Sequence, residues 1–266
     1  MTTPRALVLT GYGINCSAET KFAFEQAGAQ ADVVHINDLI EGRRRLEDYQ
    51  ILTFPGGFSF GDETGSGNGL ANRIRNNIWD QVAEFVEKDR LVLGVCNGSQ
   101  VLVRLGLLPA LNNNYGVQQV SLVHNDGAQY LDRWVDLQCS QRSPWLKGID
   151  RISLPIAHGE GKLYAPPEVL QQLQQRDLVA ARYTAGEMCA YQPLSANPNG
   201  SLDDIAALTD ESGRILGMMP HPERAIAFTH LPNWPLINEQ MKRAGRKMPE
   251  EGPGLQIFQN GVDYFK

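Results

Sequence analysis

The chain has 266 residues, of which 42% are hydrophobic and 20% are charged, and its formal net charge is -6. A chain of this length can bury enough apolar surface to form a core without disulfides or a structural metal. The negative charge argues against a nucleic-acid-binding protein, because such proteins present a clustered basic face. We therefore expect a globular protein that does not bind nucleic acid.

The cysteine spacing indicates the compartment. Cys16, Cys96, Cys139 and Cys189 are far apart, and no pair has the spacing of a zinc knuckle or a redox dithiol. Such a pattern is typical of a reducing cytosol. The first residues lack the parts of a signal peptide, and no apolar run is long enough to cross a bilayer. We expect a cytoplasmic protein with no membrane partner and no bound metal.

Short apolar runs alternate with helical patterns through the first hundred residues. Strands are predicted at 5–10, 31–36, 51–54 and 91–95, and helices at 19–27, 71–88 and 98–105. Short apolar strands that alternate with helices favour an α/β fold in which a parallel sheet is covered by helices on both faces.

The rest of the chain changes character twice. Residues 118–156 alternate in the manner of antiparallel strands, and two further strands are predicted at 205–209 and 214–219. From 230 to 254 the chain contains four prolines and one short predicted helix, and a closing amphipathic helix follows. We predict a single domain over residues 1–266, with a strand-rich middle section and an irregular excursion at 230–254.

Cys96 lies in LGVCNGSQ, where a buried strand meets a predicted helix. A sharp strand-to-helix turn presents a side chain outside the sheet, and the positive end of the helix favours a thiolate. Gly94 and Gly98 permit the tight backbone. A buried structural cysteine is the alternative, but the glycine frame favours a nucleophile.

Two His-x-Glu pairs offer the base and the orienting carboxylate that such a nucleophile needs: His158–Glu160 in PIAHGEGK and His221–Glu223 in MMPHPERA. In an extended chain, residues two apart face the same side, so either pair could align. Prolines flank His221 and hold its pair extended, whereas glycines leave the first pair loose. We therefore predict His221 as the base and Glu223 as its partner, and the alternative for His158 is a polar loop residue.

Acyl transfer also needs hydrogen-bond donors for the oxyanion. The glycine-rich segment FPGGFSFGD follows the third predicted strand. Its backbone N–H groups, that of Gly57 above all, could meet the N–H of Asn97.

These motifs together resemble a known family. LGVCNGSQ is similar to the nucleophile segment of class I glutamine amidotransferases, and PHPE resembles their His-x-Glu pair. Four further strings occur in an order similar to that of the glutaminase subunits of phosphoribosylformylglycinamidine synthase: GINC (13–16), PGGFSFGD (55–62), PIAHGEGK (155–162) and NPNGS (197–201).

The resemblance implies a flavodoxin-like class I glutamine amidotransferase fold, with a central, mostly parallel sheet and helices on both faces. It also implies roles for individual residues. By this resemblance the catalytic triad is Cys96, His221 and Glu223, the oxyanion donors are Gly57 and Asn97, and the side chain that binds substrate is Gln100.

The implied reaction is the hydrolysis of L-glutamine to glutamate and ammonia through a cysteine thioester. The resemblance further implies that ammonia passes to a separate ATP-dependent synthase subunit, and a small bridging subunit is a further expected partner. ATP and magnesium are expected on that synthase, because this chain has no glycine-rich loop with lysine for nucleotide phosphates. We expect no cofactor in this chain.

Two segments depart from the family pattern, ETGSGNG at 63–69 and the long stretch at 230–254. Three alternatives stay open at this point. One is a class I amidotransferase that serves another biosynthetic pathway. The others are a flavodoxin-like cysteine hydrolase or chaperone without glutamine specificity, and a non-catalytic docking subunit. Gln100 and the PHPE pair argue against the hydrolase, and an intact triad argues against the docking subunit.

Overall fold

A computed structural model of the chain describes residues 3–190 and 194–266. Its strands are β1 (Arg5–Thr10), β2 (Gln30–His35), β3 (Ile51–Phe54), β4 (Leu91–Val95), β5 (Ser121–His124), β6 (Leu131–Cys139), β7 (Arg151–His158), β8 (Glu160–Tyr164), β9 (Val179–Thr184), β10 (Ile205–Thr209) and β11 (Ile215–Met218). Its helices are α1 (Ser17–Gln26), α2 (Ile36–Ile40), α3 (Asn68–Asn77), α4 (Trp79–Glu87), α5 (Asn97–Leu105), α6 (Pro167–Gln175), α7 (Glu187–Ala190), α8 (Trp234–Arg243) and α9 (Leu255–Asp263).

The main sheet has the strand order β2-β1-β3-β4-β11-β10-β9-β6-β7, and β5 pairs with β8 in a separate small sheet. The strand pairs from β2 to β11 are parallel. Those from β11 to β7 are antiparallel. The predicted α/β fold with a parallel sheet and a strand-rich middle section is confirmed.

The order of the parallel strands places helices on both faces of the sheet. The chain moves one way along the sheet from β1 to β2, and the other way from β3 to β4 and β11. Because crossovers between parallel strands are right-handed, α1 covers one face while α3, α4 and α5 cover the other. The C-terminal α9 packs against α1, where the Phe24 and Phe258 rings meet edge to face at 4.9 Å.

The single long helix predicted over 71–88 is wrong. The structure has two helices, α3 and α4, separated at Ile78, whose φ of -137° lies outside the helical region. Asn77 Nδ2 donates to the Arg73 carbonyl at 2.7 Å, and such side-chain competition weakens a helix. Ile78 itself stays buried. The apolar periodicity therefore continues across the break, which is why the sequence pattern predicted one helix.

The predicted excursion at 230–254 contains α8 and then returns to the body of the protein. Ala227 forms an isolated bridge with Glu251. The Phe228 N–H donates to the Glu250 carbonyl at 3.0 Å, and the Gly252 N–H donates to the Ile226 carbonyl at 2.8 Å. The excursion is thus anchored shortly after His221. That residues 1–266 form one domain stays a prediction.

Within the two described ranges, no helix combines the length and the apolar character that a membrane span requires.

Candidate active site

The carboxyl ends of four neighbouring parallel strands bring the predicted site residues together. In the sheet order β1-β3-β4-β11, the chain leaves these strands into segments that carry Cys16, Gly57, Cys96 and His221. Neighbouring strands lie about 4.8 Å apart, so the four segments share one edge of the sheet. Parallel α/β sheets bind their ligands at this edge.

Cys96 occupies a strained turn between β4 and α5. Its φ of 50° and ψ of -107° are costly for a residue other than glycine, by about 1–3 kcal/mol. Its N–H donates to the Met218 carbonyl at 2.8 Å, which ties the turn to β11. A Cβ added at Gly98 would overlap the Phe54 carbonyl, so the turn needs glycine there. The buried Sγ lies 3.6 Å from the Ala157 carbonyl oxygen, so the thiol is directed toward the end of β7.

His221 and Glu223 form a buried hydrogen-bonded pair. Nδ1 of His221 lies 2.6 Å from Oε1 of Glu223. An ionised carboxylate only accepts hydrogen bonds, so we assign the imidazole proton to Nδ1. Nε2 is buried and has no hydrogen-bond partner in the described part of the chain. The His221 N–H donates to the Pro155 carbonyl at 2.8 Å, which holds this segment against β7.

The surroundings of His221 favour its protonated form. Burial alone would disfavour the cation, but Glu223, Cys96 and Cys16 together outweigh it and raise the pKa of His221 well above its usual value. An imidazolium is the neighbour that stabilises a thiolate. The pair can therefore activate a cysteine and return a proton to a leaving group.

The predicted oxyanion donors lie on two of the loops at this edge. Within residues 3–190 and 194–266, neither the Gly57 N–H nor the Asn97 N–H donates to an acceptor. A Cβ added at Gly57 would lie 2.7 Å from the Gly13 oxygen, so only glycine fits there. Asn97 is the first residue of α5, where a backbone N–H has no acceptor within the helix. Both groups are thus without an acceptor in the described ranges, and their role as oxyanion donors stays a prediction.

The Gln100 side chain joins α5 to β8. Its Nε2 donates to the Glu160 carbonyl at 2.6 Å, and its Oε1 accepts from Asn97 Nδ2 at 2.9 Å. Asn97 Nδ2 also donates to Asp62 Oδ1 at 3.2 Å. Each of these bonds leaves one donor on Nε2 and one lone pair on Oε1 unused, so Gln100 could bind a substrate without losing either bond. The predicted role stays a prediction.

His158 is buried at the end of β7, so the alternative interpretation as a polar loop residue is wrong. Asn125 Nδ2 donates to the carbonyls of Gln129 and His158, at 2.9 Å each, so Asn125 Oδ1 must be the acceptor for His158 Nδ1 at 3.1 Å. His158 Nε2 is left without a proton or a partner among the described residues. Burial, followed by the charge of His221, lowers the pKa of His158 to about 4.

Glu160 turns away from His158 and holds the divergent loop. The chain bends at Gly159, so the alternation of an extended chain is lost between the two residues. Glu160 Oε2 accepts from the Ser66 N–H at 3.2 Å. Gly67 in the same loop packs on α5, because a Cβ added there would lie 2.8 Å from the Val101 nitrogen. The segment at 63–69 is thus seated on the helix that follows Cys96.

Cys16, Gly56 and Arg224 also lie at this edge, and the sequence alone assigned them no individual role. Cys16 is fully buried, and its Sγ accepts from Arg224 Nη2 at 3.0 Å. A Cβ added at Gly56 would lie 2.8 Å from His221 Cε1 and 3.1 Å from Cys16 Sγ, so both groups pack against the same stretch of backbone. Position in the chain could have identified Cys16, because it lies in the segment after β1, at the same edge of the sheet as the segment after β4 that carries Cys96.

Among the described residues, Cys16, His221 and Glu223 are the one group whose atoms suit a metal, with potential ligand atoms within 4.8 Å of one another. Glu223 already occupies Nδ1 of His221, and the Arg224 guanidinium lies against the sulfur. A divalent cation would have to displace both contacts. The arrangement does not favour a metal, and the predicted absence of one stays a prediction.

The end of the excursion packs under the turn that carries the pair. Pro222–Arg224 forms a short 3₁₀ turn. The Gly254 N–H donates to the Ala225 carbonyl at 2.9 Å, and a Cβ added at Gly254 would overlap the Pro222 carbonyl. Residues after α8 therefore support the backbone between His221 and Glu223.

Known proteins that are similar to this chain match it along nearly its whole length. Residues 3–265 match the CobB/CobQ-like glutamine amidotransferase domain family. Phosphoribosylformylglycinamidine synthase subunit PurQ from Methanococcus maripaludis is 44% identical over 265 residues, which covers 98% of this chain and 97% of that protein. The PurQ subunit from Dehalococcoides mccartyi is 40% identical over 266 residues, which covers 99% of this chain and 98% of that protein.

A solved structure supports the fold as well. A chain of PurLQS from Thermotoga maritima aligns with a TM-score of 0.71 at 28% identity, and the alignment covers 100% of both chains. The predicted resemblance and the predicted glutamine amidotransferase fold are confirmed. The chain therefore belongs to the family of CobB/CobQ-like glutamine amidotransferase domains, with PurQ subunits of phosphoribosylformylglycinamidine synthase among its relatives.

Proposed function

We propose that this chain is the glutaminase subunit of a phosphoribosylformylglycinamidine synthase. It hydrolyses L-glutamine and passes the ammonia to an ATP-dependent synthase subunit. That subunit converts formylglycinamide ribonucleotide to formylglycinamidine ribonucleotide in purine biosynthesis. Relatives that carry this name match the chain over nearly its full length, which supports the proposal.

One observation carries the chemical part of the proposal. Cys96 stands in a strained turn at the same sheet edge as a buried imidazole that is hydrogen-bonded to a carboxylate at 2.6 Å. A nucleophile, a base and an orienting group in this order are what thioester chemistry requires.

The first half of the reaction forms the thioester. Cys96 Sγ attacks the side-chain amide carbon of glutamine, and the carbonyl electrons move to oxygen. The free N–H groups of Gly57 and Asn97 hold that oxyanion. His221 then gives its Nε2 proton to the amide nitrogen, the C–N bond breaks and ammonia leaves.

The second half restores the enzyme. His221, now neutral, takes a proton from a water molecule that attacks the thioester carbon. The C–S bond breaks, glutamate is released and the proton on the imidazole is available for the next cycle. Throughout, Glu223 accepts from Nδ1, fixes the tautomer and stabilises the cation.

The partner carries the remaining chemistry in this proposal. ATP and magnesium act on the synthase subunit, since this sequence lacks a glycine-rich loop with lysine for nucleotide phosphates. The chain itself uses no cofactor or metal. A small bridging subunit in the complex, a cytoplasmic location and the absence of nucleic-acid and membrane partners complete the proposal.

The test uses the complex of this chain with its synthase subunit, supplied with ATP, magnesium and formylglycinamide ribonucleotide. Nitrogen is provided either as glutamine or as an ammonium salt. We expect Cys96→Ser to lower glutamine-dependent product formation by about a hundredfold or more, and to leave ammonium-dependent formation unchanged. Cys189→Ser, at a partly exposed cysteine on α7, is the matched control.

Two results would contradict the proposal. Glutamine-dependent turnover of Cys96→Ser within about tenfold of wild type, or ~1.4 kcal/mol of barrier, would exclude Cys96 as the nucleophile. If the complex made no formylglycinamidine ribonucleotide with glutamine and none with ammonium, this synthase would be excluded as the partner.

A further inference from the structure

We propose that Cys16 is a positioning residue, which fixes the His221 imidazole relative to the loop that carries Gly57. The inference rests on the function proposed above. Cys16 lies in GINC, the segment between β1 and α1. The reaction steps assign this segment no role.

The backbone of residues 13–16 clamps the loop of the oxyanion donor. The N–H groups of Asn15 and Cys16 both donate to the Gly56 carbonyl, at 3.3 and 3.2 Å. The Phe58 N–H donates to the Gly13 carbonyl at 2.8 Å. Gly57 is therefore held on both sides, while its own N–H donates to no acceptor among the described residues.

The side chain of Cys16 reaches the other half of the site. Gly56 presents its α-carbon to both Cys16 Sγ and His221 Cε1, with no room for a Cβ between them. Cys16 Sγ also lies within 4.8 Å of a ring nitrogen of His221 and a carboxylate oxygen of Glu223. The Cys16 side chain thus lies beside the imidazole, while its backbone N–H donates to the Gly56 carbonyl.

Arg224 joins Cys16 to the turn that carries His221 and Glu223. It directly follows Glu223, and its Nη2 donates to Cys16 Sγ at 3.0 Å. Its Nε lies 3.9 Å from Glu19 Oε1 on α1. A shift of Cys16 would therefore release the turn that carries His221 and Glu223 as well as the loop that carries Gly57.

Such a contact matters because acyl transfer depends on the relative position of base and oxyanion donors. A displacement of about 1 Å between catalytic groups can cost about a hundredfold in rate. Cys16 need not touch the substrate to have this effect. Loss of its side chain should lower the rate of thioester formation more than the affinity for glutamine.

The experiment measures single-turnover thioester formation on Cys96 and KM for glutamine in the reconstituted complex. The variants are Cys16→Ala, which removes the sulfur, and Cys16→Ser, whose hydroxyl still accepts from Arg224. Cys139→Ala is the control, because Cys139 is another buried thiol that lies on β6, outside the four loops of the site.

We expect Cys16→Ala to slow thioester formation by about tenfold or more at saturating glutamine, with KM changed by less than about threefold. Cys16→Ser should recover most of that rate. Cys139→Ala should match wild type in rate, even where it loses as much stability as Cys16→Ala.

A rate of Cys16→Ala within about twofold of wild type would overturn the inference, as would an equal loss of rate in Cys139→Ala. If wild type forms no thioester with glutamine, the proposed function fails instead. Should Cys16→Ala not fold, Arg224→Met is measured in its place. A rate loss of about fivefold or more with an unchanged KM supports the inference, and an unchanged rate overturns it.

Discussion

The two His-x-Glu pairs have the same spacing and both histidines are buried, yet the two imidazoles differ in chemistry. In both imidazoles Nδ1 donates to a buried oxygen, and Nε2 has no partner in the part of the chain that the structure describes. For His221 the acceptor is the carboxylate of Glu223, and the pKa of the imidazole lies well above its usual value. For His158 the acceptor is the amide of Asn125, and the pKa falls to about 4.

The difference lies in the charge of the acceptor. Burial disfavours the imidazolium in both places, and only a nearby negative charge reverses that effect. The raised pKa of His221 favours a cation that can protonate a leaving group, whereas the lowered pKa of His158 favours the neutral imidazole at the end of β7. Sequence spacing identified both pairs, but the acceptor that each imidazole meets decides which one can act as an acid and a base.

The largest expected effect comes from removing the charged imidazole. His221→Ala should lower glutaminase turnover of the complex by about a hundredfold or more, because the proposed mechanism uses this imidazole as its acid and base. His158→Ala should retain most of the rate of thioester formation. Rapid quench at saturating glutamine measures both, and the reverse ranking would show that His158 is the base.

His158 should also make the protein less stable in acid. Its pKa is lowered to about 4 from 6.5, so the unfolded chain binds the proton more readily below pH 6.5. The stability that the neutral imidazole contributes is complete above pH 6.5 and is lost as the pH falls toward 4. Between pH 7 and 5 the loss should be roughly 2 kcal/mol.

Denaturant unfolding of wild type and His158→Gln at both pH values isolates this contribution, because the other titrating groups cancel in the difference. An equal pH dependence in both proteins would show that His158 is not buried as a neutral imidazole. The raised pKa of His221 gives a pH dependence of stability with the opposite sign. Its contribution to the free energy of unfolding is present at low pH and is lost as the pH rises through the pKa of the folded state.

Replacing the charged acceptor of His221 by a neutral one should make this imidazole resemble that of His158. Glu223→Gln keeps a hydrogen-bond acceptor for Nδ1 but removes the charge that raises the pKa of His221. Turnover should fall about tenfold or more, and the alkaline limb of the pH–rate profile should move to lower pH. Glu187→Gln, an exposed carboxylate on α7, is the control. An unmoved alkaline limb would show that Glu223 does not set the charge of His221.

The smallest effect concerns the packing that keeps His158 in place. A Cβ added at Gly161 would lie 2.8 Å from His158 Nε2 and closer still to other ring atoms, while a Cβ added at Gly127 meets nothing within 4 Å. Gly161→Ala should lower the free energy of unfolding by about 1 kcal/mol or more. Gly127→Ala should change it by no more than about 0.5 kcal/mol. Equal values would show that the ring does not need this space.

Much of the fold follows from local sequence pattern. β1, β3 and β4 lie at their predicted residues, because short buried strands give unbroken apolar runs. The break at Ile78 was not predictable in this way, since the apolar face continues through it. An asparagine side chain that competes for a helix carbonyl lies directly before the break, and the apolar pattern carries no sign of it.

In the site, as in the fold, local features were predictable from the sequence and contacts between distant residues were not. Cys96 is recognisable because its glycine frame is local, and the structure places it at the predicted turn. The contacts of His158 were not predictable, because Asn125 lies 33 residues away in the chain, in the loop between β5 and β6, and meets His158 only in the folded protein. The contact of Cys16 with Arg224 spans 208 residues and has no local signature.

The most direct measurement is the identity of the glutamyl-bearing cysteine during turnover. The complex is quenched with acid in the presence of glutamine, the chain is digested, and each cysteine peptide is examined by mass spectrometry. We expect a glutamyl thioester on the peptide of Cys96, a lower yield in His221→Ala and none on the peptide of Cys16. A thioester on Cys16, or none on Cys96 while glutamine is being consumed, would contradict this expectation.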